Sequence, residues 1–163
     1  MDLKLLPASP EHRHIIQNLV QFYIYDFSPY VDYDVEENGL FKNYPGLEDY
    51  WTDKTNRFPY IIKSHDKYIG FVLVRSETTQ FSIAEFFIMK KYRRKGIGKS
   101  MIKNLKHLAK TYFKIELIHI EIVEGNPIHS LLLKMDFHEF GRQDRFFKEG
   151  DTYLGRVLLE SHL

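Results

Sequence analysis

One stretch decides the fold of this chain: Phe86-Phe87-Ile88-Met89-Lys90-Lys91-Tyr92-Arg93-Arg94-Lys95-Gly96-Ile97-Gly98-Lys99-Ser100. It begins as an apolar strand, continues as a basic loop with two glycines, and leads into a helix. A helix N-terminus offers unpaired N–H groups and a partial positive charge, and glycines let an anion approach those groups closely. Five of the six residues 90–95 are basic. The stretch therefore predicts a site for a pyrophosphate or for several phosphates.

Two common phosphate-binding motifs do not fit this loop. A P-loop has the pattern Gly-x-x-x-x-Gly-Lys-Ser/Thr, and its first glycine would fall on Arg93. A dinucleotide-binding loop has the pattern Gly-x-Gly-x-x-Gly, and Met101 stands where its third glycine is needed. Nucleotide binding is therefore ranked after the two hypotheses given below. A solvated basic turn without a ligand would not explain why two glycines precede the helix.

The motif Arg93-x-x-Gly96-x-Gly98 resembles the coenzyme A loop of the GNAT superfamily of N-acetyltransferases. In that family the strand before the loop binds the pantetheine arm through its backbone, and the loop N–H groups hold the pyrophosphate. The resemblance implies acetyl-coenzyme A (acetyl-CoA) as cosubstrate. It assigns coenzyme A binding to Phe86, Phe87, Ile88, Arg93, Arg94, Lys95, Gly96, Ile97, Gly98, Lys99 and Asn126.

Length and composition narrow the class of protein. At 163 residues the chain suits one domain, residues 1–163, with a full core. Its net charge of +1 argues against nucleic-acid binding, and the absence of cysteine excludes disulfides and a cysteine nucleophile. Apolar runs are too short to span a membrane, and the N-terminus is no signal peptide. We therefore expect a cytoplasmic protein without nucleic-acid or membrane partners; the resemblance allows a homodimer.

The remaining pattern predicts alternating strands and helices. Strands are predicted at 3–6, 59–63, 68–75, 80–89, 115–123, 137–148 and 152–159, and helices at 10–27, 47–52, 96–112 and 127–135. Hairpins at both ends and a βαβ unit in the middle predict a mixed sheet. This order agrees with the GNAT order over essentially the whole chain. The predicted fold is α/β (α+β), with about six to seven strands and about four helices.

Two N-terminal segments extend the resemblance. Tyr25-Asp26-Phe27-Ser28 and Asp49-Tyr50-Trp51 are similar to a bacterial subgroup of predicted acetyltransferases. No Lys or Arg occurs between Arg13 and Lys42, whereas acidic residues and tyrosines are interleaved there: Tyr23, Tyr25, Asp26, Tyr30, Asp32, Tyr33, Asp34, Glu36 and Glu37. Such a segment is either a wall that attracts a cationic amine or a solvated acidic loop.

Acetyl transfer to an amine needs a base, and Glu85 is the candidate. In the alternation predicted for its strand, it shares an otherwise apolar face with Phe81, Ile83 and Phe87. Burial on such a face raises a carboxyl pKa towards neutrality, which suits a general base. Glu85 also lies eight residues before Arg93, where many GNAT members carry a glutamate. A purely structural glutamate, bound to backbone or to an arginine, is an equally good interpretation.

The usual proton donor of the family is missing. GNAT members often have Asn near the start of the helix after the parallel strand, and Tyr about a turn and a half later, before a Gly-Phe pair. Here Asn126 is present and either binds coenzyme A or caps its helix, but the tyrosine position falls on Leu132 or Leu133. The Gly-Phe pair reads Asp136-Phe137.

Two other roles follow from the resemblance. The thiolate leaves unassisted, through water, or with help from another tyrosine such as Tyr23 or Tyr153. The carbonyl oxygen would be met by a backbone N–H near Phe87 or Ile88, because in GNAT proteins the sheet opens after this strand and leaves its N–H groups without a neighbour.

No metal is predicted, because no two of the eight histidines have the helical spacing His-x-x-x-His. The leading hypothesis is thus an acetyl-CoA-dependent N-acetyltransferase acting on a small-molecule or protein amine. A cationic acceptor such as a polyamine, an aminoglycoside, a lysine or an N-terminal amine is favoured. The alternative is a coenzyme A-binding regulatory module with little or no turnover.

Overall fold

One mixed seven-stranded sheet organises the residues that the computed structural model describes, 2–146 and 153–163. The strands are β1 (Leu3–Pro7), β2 (Arg57–Ser64), β3 (Lys67–Ser76), β4 (Phe81–Ile88), β5 (Leu117–Val123), β6 (His138–Phe146) and β7 (Tyr153–His162). Their order is β1-β2-β3-β4-β5-β7-β6. The β4–β5 pair is parallel and the other pairs are antiparallel. The predicted mixed α/β fold is confirmed.

Helices pack on both faces of the sheet. They are α1 (Arg13–Val31), α2 (Asp49–Thr52), α3 (Ile97–Leu108) and α4 (Ile128–Leu133). Helices α1 and α2 bury their apolar side chains against β2, β3 and β4 on one face, and α3 and α4 cover the other face. Within the described residues, no helix has both the length and the apolar character that crossing a membrane requires.

Helix α1 is longer than predicted. We expected it to end at Ser28-Pro29, because proline disfavours a helical residue before it. The helix instead runs to Val31. Proline lacks the N–H that would bond to the carbonyl of Tyr25 four residues earlier. The Ser28 hydroxyl donates to that carbonyl at 2.7 Å, so the acceptor is satisfied and the helix continues to Asp32, which has φ +50°.

The helix predicted at 96–112 has an apolar stripe that is buried along α3 but does not reach the predicted end. Ile97, Met101 and Leu105 are buried, whereas Tyr112 is 74% exposed. The α-helix ends at Leu108, and the next five residues form a π-helical turn. Because a π-turn contains more residues than an α-turn, it rotates the following side chains away from the stripe.

The C-terminal hairpin is confirmed as β6 and β7, with β7 between β5 and β6. Its predicted turn, Glu149-Gly150-Asp151, lies outside the described residues. Strand β7 extends to His162, three residues beyond the predicted end at Leu159.

Strands β4 and β5 pair over only three positions before they separate. The pairs are Phe81 with Ile118, Ser82 with His119, and Ile83 with Ile120. Strand β4 continues to Ile88 beside β3, so its last residues have a gap on their other edge. The opening expected from the family resemblance is therefore present, and it positions the candidate site.

Candidate active site

A cleft of about 960 Å³ follows the gap between β4 and β5. Helix α1, the loop before α3 and the start of α4 enclose it. The predicted site residues that line it are Glu85, Phe86, Phe87, Ile88, Arg93, Arg94, Gly96, Gly98, Lys99 and Asn126. The structure thus brings the candidate base and most of the predicted coenzyme A residues into one cavity.

Two predicted binding residues do not line this cleft. The side chain of Ile97 is 1% exposed and belongs to the core beneath α3. The Lys95 ammonium lies 5.9 Å from the centre of the Tyr92 ring. Lys95 and Ile97 can therefore take part in the predicted coenzyme A binding only through their backbone N–H groups.

The loop between β4 and α3 presents a run of unused backbone donors. The first backbone hydrogen bond of α3 joins the Ser100 N–H to the Gly96 carbonyl at 3.1 Å. From Arg94 to Lys99, no N–H group donates to another described residue. Arg94 and Gly96 have φ values of +61° and +78°, and such left-handed residues let successive N–H groups converge. The loop therefore has the geometry of an anion site at a helix N-terminus.

The two glycines of the loop have different tasks. Gly96 adopts the left-handed conformation in open space, so its backbone is the constraint. Gly98 has an ordinary backbone, but a Cβ there would lie 3.2 Å from the Leu131 Cδ2 atom of α4. Gly98 therefore permits the close approach of α3 and α4 at the edge of the cleft.

The Arg93 side chain binds other groups of the protein on both sides of the loop. Its Nε donates to the Ile88 carbonyl at 2.6 Å, and its guanidinium pairs with the Asp26 carboxylate of α1. The same group lies over the Phe87 ring, 5.5 Å from its centre. Arg93 thus ties the loop to β4 and α1, and its side chain sets the position of the loop.

The open edge of β4 presents the Ile88 N–H. The Met89 N–H donates to Ile69 on β3 at 2.8 Å. Since successive N–H groups of a strand point to opposite edges, the Ile88 N–H faces the gap. The Ile88 carbonyl, which accepts from Arg93, lies on that same edge. Of the two N–H groups considered from sequence, the geometry favours Ile88 over Phe87.

The face predicted for Glu85 is correct with respect to Phe87 and wrong with respect to Phe81 and Ile83, because β4 contains a bulge. Glu85 is opposite Leu73, but Ile83 is opposite Val74, so Ala84 is the extra residue. Phe81 and Ile83 pack in the core beneath α3, whereas Ala84 and Phe87 pack beneath α1. The bulge therefore turns Glu85 to the α1 face, which simple alternation cannot predict.

Two tyrosines hold the Glu85 carboxylate. The Tyr23 hydroxyl donates to one of its oxygens and the Tyr44 hydroxyl to the other. Burial raises the pKa of Tyr44, and the charge of Glu85 and the hydrogen bond to it raise that pKa further. Tyr44 therefore remains a protonated donor at neutral pH. Tyr23 was considered from sequence as a proton donor, whereas Tyr44 was not identified.

A second layer supports this cluster. Burial raises the pKa of Tyr50, and nearby Arg75 opposes that shift. Burial lowers the pKa of Arg75, but Tyr50, Tyr44 and Glu85 outweigh it, so the net direction is upward. Arg75 lines the cleft and partly balances the charge of Glu85. The sequence carried no local signal for Tyr44 or Arg75, since these residues lie on separate segments.

The acidic, tyrosine-rich segment 23–37, which begins within α1, divides between the two alternatives that the sequence left open. Asp26, Tyr23 and Tyr30 line the cleft, and Asp26 is paired with Arg93. Tyr25 is 67% exposed. The other acidic residues of the segment do not line the cleft: Asp32, Asp34, Glu36 and Glu37.

Carboxylates outside that segment also line the cleft. Glu77 and Glu121 line the cleft together with Glu85. His119 also lines it, and burial lowers the pKa of His119 although Glu121 and Glu160 oppose the shift. The cleft is thus acidic along the middle of the sheet and basic at the loop before α3.

Asn126 acts as a cap. Its Oδ1 atom accepts from the Ile128 N–H at 3.0 Å, and the residue also borders the cleft. Leu132 is buried and Leu133 is 48% exposed, so α4 offers no hydroxyl at the usual tyrosine position. The side chain of Tyr153, the other candidate donor, lies outside the described residues.

Comparison with solved structures shows the same fold in several acetyltransferases. Spermidine N-acetyltransferase from Vibrio cholerae, in complex with CoA and spermine, has a TM-score of 0.74 at 16% identity, over 98% of this chain and 95% of that one. A GNAT family acetyltransferase from Elizabethkingia anophelis, with acetyl-CoA bound, has a TM-score of 0.66 at 16% identity, over 99% and 98%. Arabidopsis thaliana NAA60, in complex with a bisubstrate analogue, has a TM-score of 0.73 at 14% identity, over 99% and 98%.

Sequence comparison gives the family. No curated protein matches this sequence significantly. The family model described as Acetyltransferase (GNAT) family matches residues 18–137, which begin within α1, continue through α4 and include the whole loop before α3. The chain therefore belongs to the GNAT family of acetyltransferases, and both the predicted family and the predicted enzyme class are confirmed.

Proposed function

We propose that this protein transfers the acetyl group of acetyl-CoA to a primary amine by direct attack, with both substrates bound, and that the acceptor is a cation. One observation carries the proposal. A single cleft contains an anion site built from backbone N–H groups and a carboxylate held by two tyrosines. Acetyl-CoA, when bound, supplies the activated acetyl group.

The loop fits the phosphate end of coenzyme A. The unused N–H groups from Arg94 to Lys99 converge at the start of α3, where the helix dipole also favours an anion. Lys99 adds a positive side chain at the cleft wall. The gap beside β4 continues from this loop to the Ile88 N–H, which would donate to the thioester oxygen.

Glu85 would accept the proton of the amine. Each oxygen of a carboxylate has two lone pairs, so an oxygen that accepts from Tyr23 or Tyr44 can still accept from a substrate. The two tyrosines fix the carboxylate in one orientation, which favours proton transfer over a short path. Tyr23, which borders the cleft and donates to Glu85, would protonate the leaving thiolate.

The charge of the cleft favours a cationic acceptor. Glu77, Glu85 and Glu121 line it, and Arg75 is the opposing charge in that part of the wall. Carboxylates within one cavity attract an amine in its protonated form and raise its local concentration. The Vibrio cholerae enzyme of the same fold contains spermine, a polyamine, which makes polyamines the first acceptors to test. Aminoglycosides, lysine side chains and N-terminal amines have the same charge.

A coenzyme A-binding module with little turnover is the second candidate. It is favoured by the absence of a tyrosine at the usual position on α4, where Leu132 is buried and Leu133 is 48% exposed. In this case the loop before α3 would bind coenzyme A as proposed, and Glu85 would be a structural carboxylate.

Calorimetric titration with acetyl-CoA, followed by a thiol-release assay, separates the candidates. The acceptor panel contains spermidine, an aminoglycoside, a lysine peptide and a neutral aromatic amine of similar size. We expect saturable binding and thiol release with one or more cationic amines, and little release with the neutral amine. Binding without release on any amine would support the regulatory module. Binding of ATP or NAD in place of coenzyme A would contradict both.

A further inference from the structure

Two histidines and a glutamate cluster on the C-terminal hairpin, away from the loop before α3. His138 on β6 pairs directly with Glu160 on β7, and His162 lies two residues after Glu160. Residues directly opposite in an antiparallel pair, and residues two apart on one strand, share a face. The backbone register itself therefore places His138, Glu160 and His162 side by side.

The potential ligand atoms of these side chains are already close. The His138 Nε2 and Glu160 Oε1 atoms are 3.1 Å apart, and the His162 Nε2 atom lies 3.9 Å from the same oxygen. One potential ligand atom from each of the three residues lies within 4.8 Å of the others. His138 and His162 are exposed and Glu160 is partly buried, so solvent ions reach the group.

We propose that His138, Glu160 and His162 form a binding site for a divalent transition metal ion, for which Zn²⁺ is the best match. Two imidazoles and one carboxylate are a common three-ligand set for zinc, with a fourth position open to water. Ligand atoms about 2.1 Å from a tetrahedral ion lie roughly 3.4 Å from one another. The observed separations bracket that value, and small rotations of the exposed rings would close the site.

The identity of the ligands selects among cations. Magnesium and calcium prefer sets of oxygen atoms, so a set with two imidazole nitrogens favours zinc, copper, nickel or cobalt. Glu160 on a central strand is the least exposed of the three ligands, and the side-chain exposure of 23% for Glu160 compares with 55% for His138. The carboxylate is thus the fixed member and the histidines are the adjustable ones.

The chain contains a natural control for this arrangement. His129 Nε2 lies 2.8 Å from Glu139 Oε1, so this pair has one histidine and one carboxylate in contact. Among the described residues, no third histidine, aspartate or glutamate joins that pair to form a ligand cluster. If one His–Glu contact were sufficient, removal of His129 would weaken metal binding as much as removal of His138.

The proposed site does not depend on the proposed acetyl transfer. Glu160 is also paired with His119 of β5, which lines the cleft. A bound ion would therefore lie about one or two strand spacings, roughly 5–10 Å, from the cleft wall. The test uses metal binding as its readout, so failure of the acetyltransferase assay leaves the result unaffected.

The experiment titrates Co²⁺ and then Zn²⁺ into the full chain, prepared without a histidine tag and freed of metal with a chelator. Cobalt bound in a tetrahedral site absorbs visible light, and competition with zinc removes that absorption. The variants are His138→Ala, Glu160→Gln and His162→Ala, with His129→Ala and the exposed His14→Ala as controls. Circular dichroism verifies that each variant is folded.

We expect one ion per chain and a loss of affinity of roughly 10- to 100-fold or more in each site variant, since changes to residues that merely orient a ligand already cost that much. The two control variants should bind as the unaltered protein does. Equal metal affinity in all variants would overturn the proposal. It would also be overturned if the unaltered protein gave no visible Co²⁺ absorption at about millimolar Co²⁺. A Glu160→Gln variant that binds normally would reject the three-ligand set.

Discussion

The two halves of the cleft are built in opposite ways. The anion site is made from consecutive backbone N–H groups of residues 94–99. The acceptor side is made from side chains that lie far apart in sequence: Tyr23 is 62 residues from Glu85, and Tyr44 is 41 residues from it. A site of the first kind depends on local backbone shape. A site of the second kind exists only after the sheet, α1 and the following loop have come together.

Because of this difference, the two halves should tolerate different substitutions. The loop should accept changes of its side chains but should fail when a glycine acquires bulk. The Glu85 cluster should keep its shape under changes of the loop but should respond to the loss of single atoms, because each hydroxyl has one carboxylate oxygen as its partner. Substitutions can therefore separate binding from chemistry.

Glu85→Gln should give the largest effect. The amide keeps the size of the side chain and one acceptor oxygen but cannot take a proton. We expect the turnover rate to fall roughly 10²- to 10⁴-fold, as for the loss of a general base. Affinity for acetyl-CoA, measured by calorimetry, should be unchanged.

Glu77→Gln is the matched control, since it removes a carboxylate that lines the same cleft outside the tyrosine cluster. It should alter the apparent affinity for a cationic acceptor more than the turnover rate. If Glu85→Gln and Glu77→Gln had equal turnover rates, Glu85 would not be the base.

Gly98→Trp should give the next largest effect, and on binding. A Cβ at this position already meets Leu131 at 3.2 Å, so an indole must push α4 away from α3. Overpacking of this kind costs about 1–3 kcal/mol, which corresponds to roughly 5- to 150-fold weaker acetyl-CoA binding if the distortion falls on the site. Calorimetry measures the affinity.

Gly39→Trp is the control for a bulky residue in place of glycine outside the cleft: a Cβ at Gly39 meets nothing within 4 Å, but its φ of +77° strains any side chain, so we expect a loss of stability without a loss of acetyl-CoA affinity. Both variants should keep the far-ultraviolet spectrum of the folded protein. Normal acetyl-CoA binding by Gly98→Trp would show that the loop does not form the pyrophosphate site.

The fold and the loop were predictable from sequence because their signals are local. The order of strands and helices follows from apolar spacing, and the two glycines and basic residues of the loop are adjacent in the chain. Where the prediction failed, the cause was a single short-range contact that leaves no mark in the apolar spacing. Helix α1 passes Pro29 because one hydroxyl, that of Ser28, replaces a missing donor, and periodicity does not register a single compensating atom.

The acceptor side was only partly predictable. Glu85 could be named from its distance to the loop, but Phe81 and Ile83 do not share its face as predicted, because the bulge at Ala84 shifts the alternation by one residue. Tyr44 and Arg75 have no spacing relation to Glu85. Contacts of this kind depend on how segments pack, which sequence pattern alone leaves undetermined.

Removal of single hydroxyls sharpens the comparison at a smaller scale. Tyr23→Phe and Tyr44→Phe each delete one donor to the Glu85 carboxylate. We expect each to lower the free energy of unfolding by about 1.5–3 kcal/mol, the range for hydrogen bonds to a charged group. Acetyl-CoA affinity should not change. Urea unfolding followed by circular dichroism gives the stabilities.

The double variant tests whether the tyrosines act together. Because both contact one carboxylate, the two losses should not be additive. Tyr25→Phe is the control, since Tyr25 is on the same helix and 67% exposed, and its stability should be unchanged. Strict additivity would mean that the two hydroxyls stabilise the fold independently of Glu85.

The smallest expected effect is a dependence on alkaline pH that arises on the Glu85 side of the cleft. Burial and Glu85 raise the pKa of Tyr44 above its ordinary value. A tyrosine with a higher pKa in the folded state stabilises the fold fully below about pH 10, the pKa in the unfolded chain, and loses that contribution as pH rises towards the folded value. Between about pH 9 and 11, urea unfolding should therefore show a steeper loss of stability for the unaltered protein than for Tyr44→Phe. If stability fell with pH equally in both proteins, the pKa of Tyr44 would not be raised by folding. The contrast between the two halves of the cleft would then rest on their geometry alone.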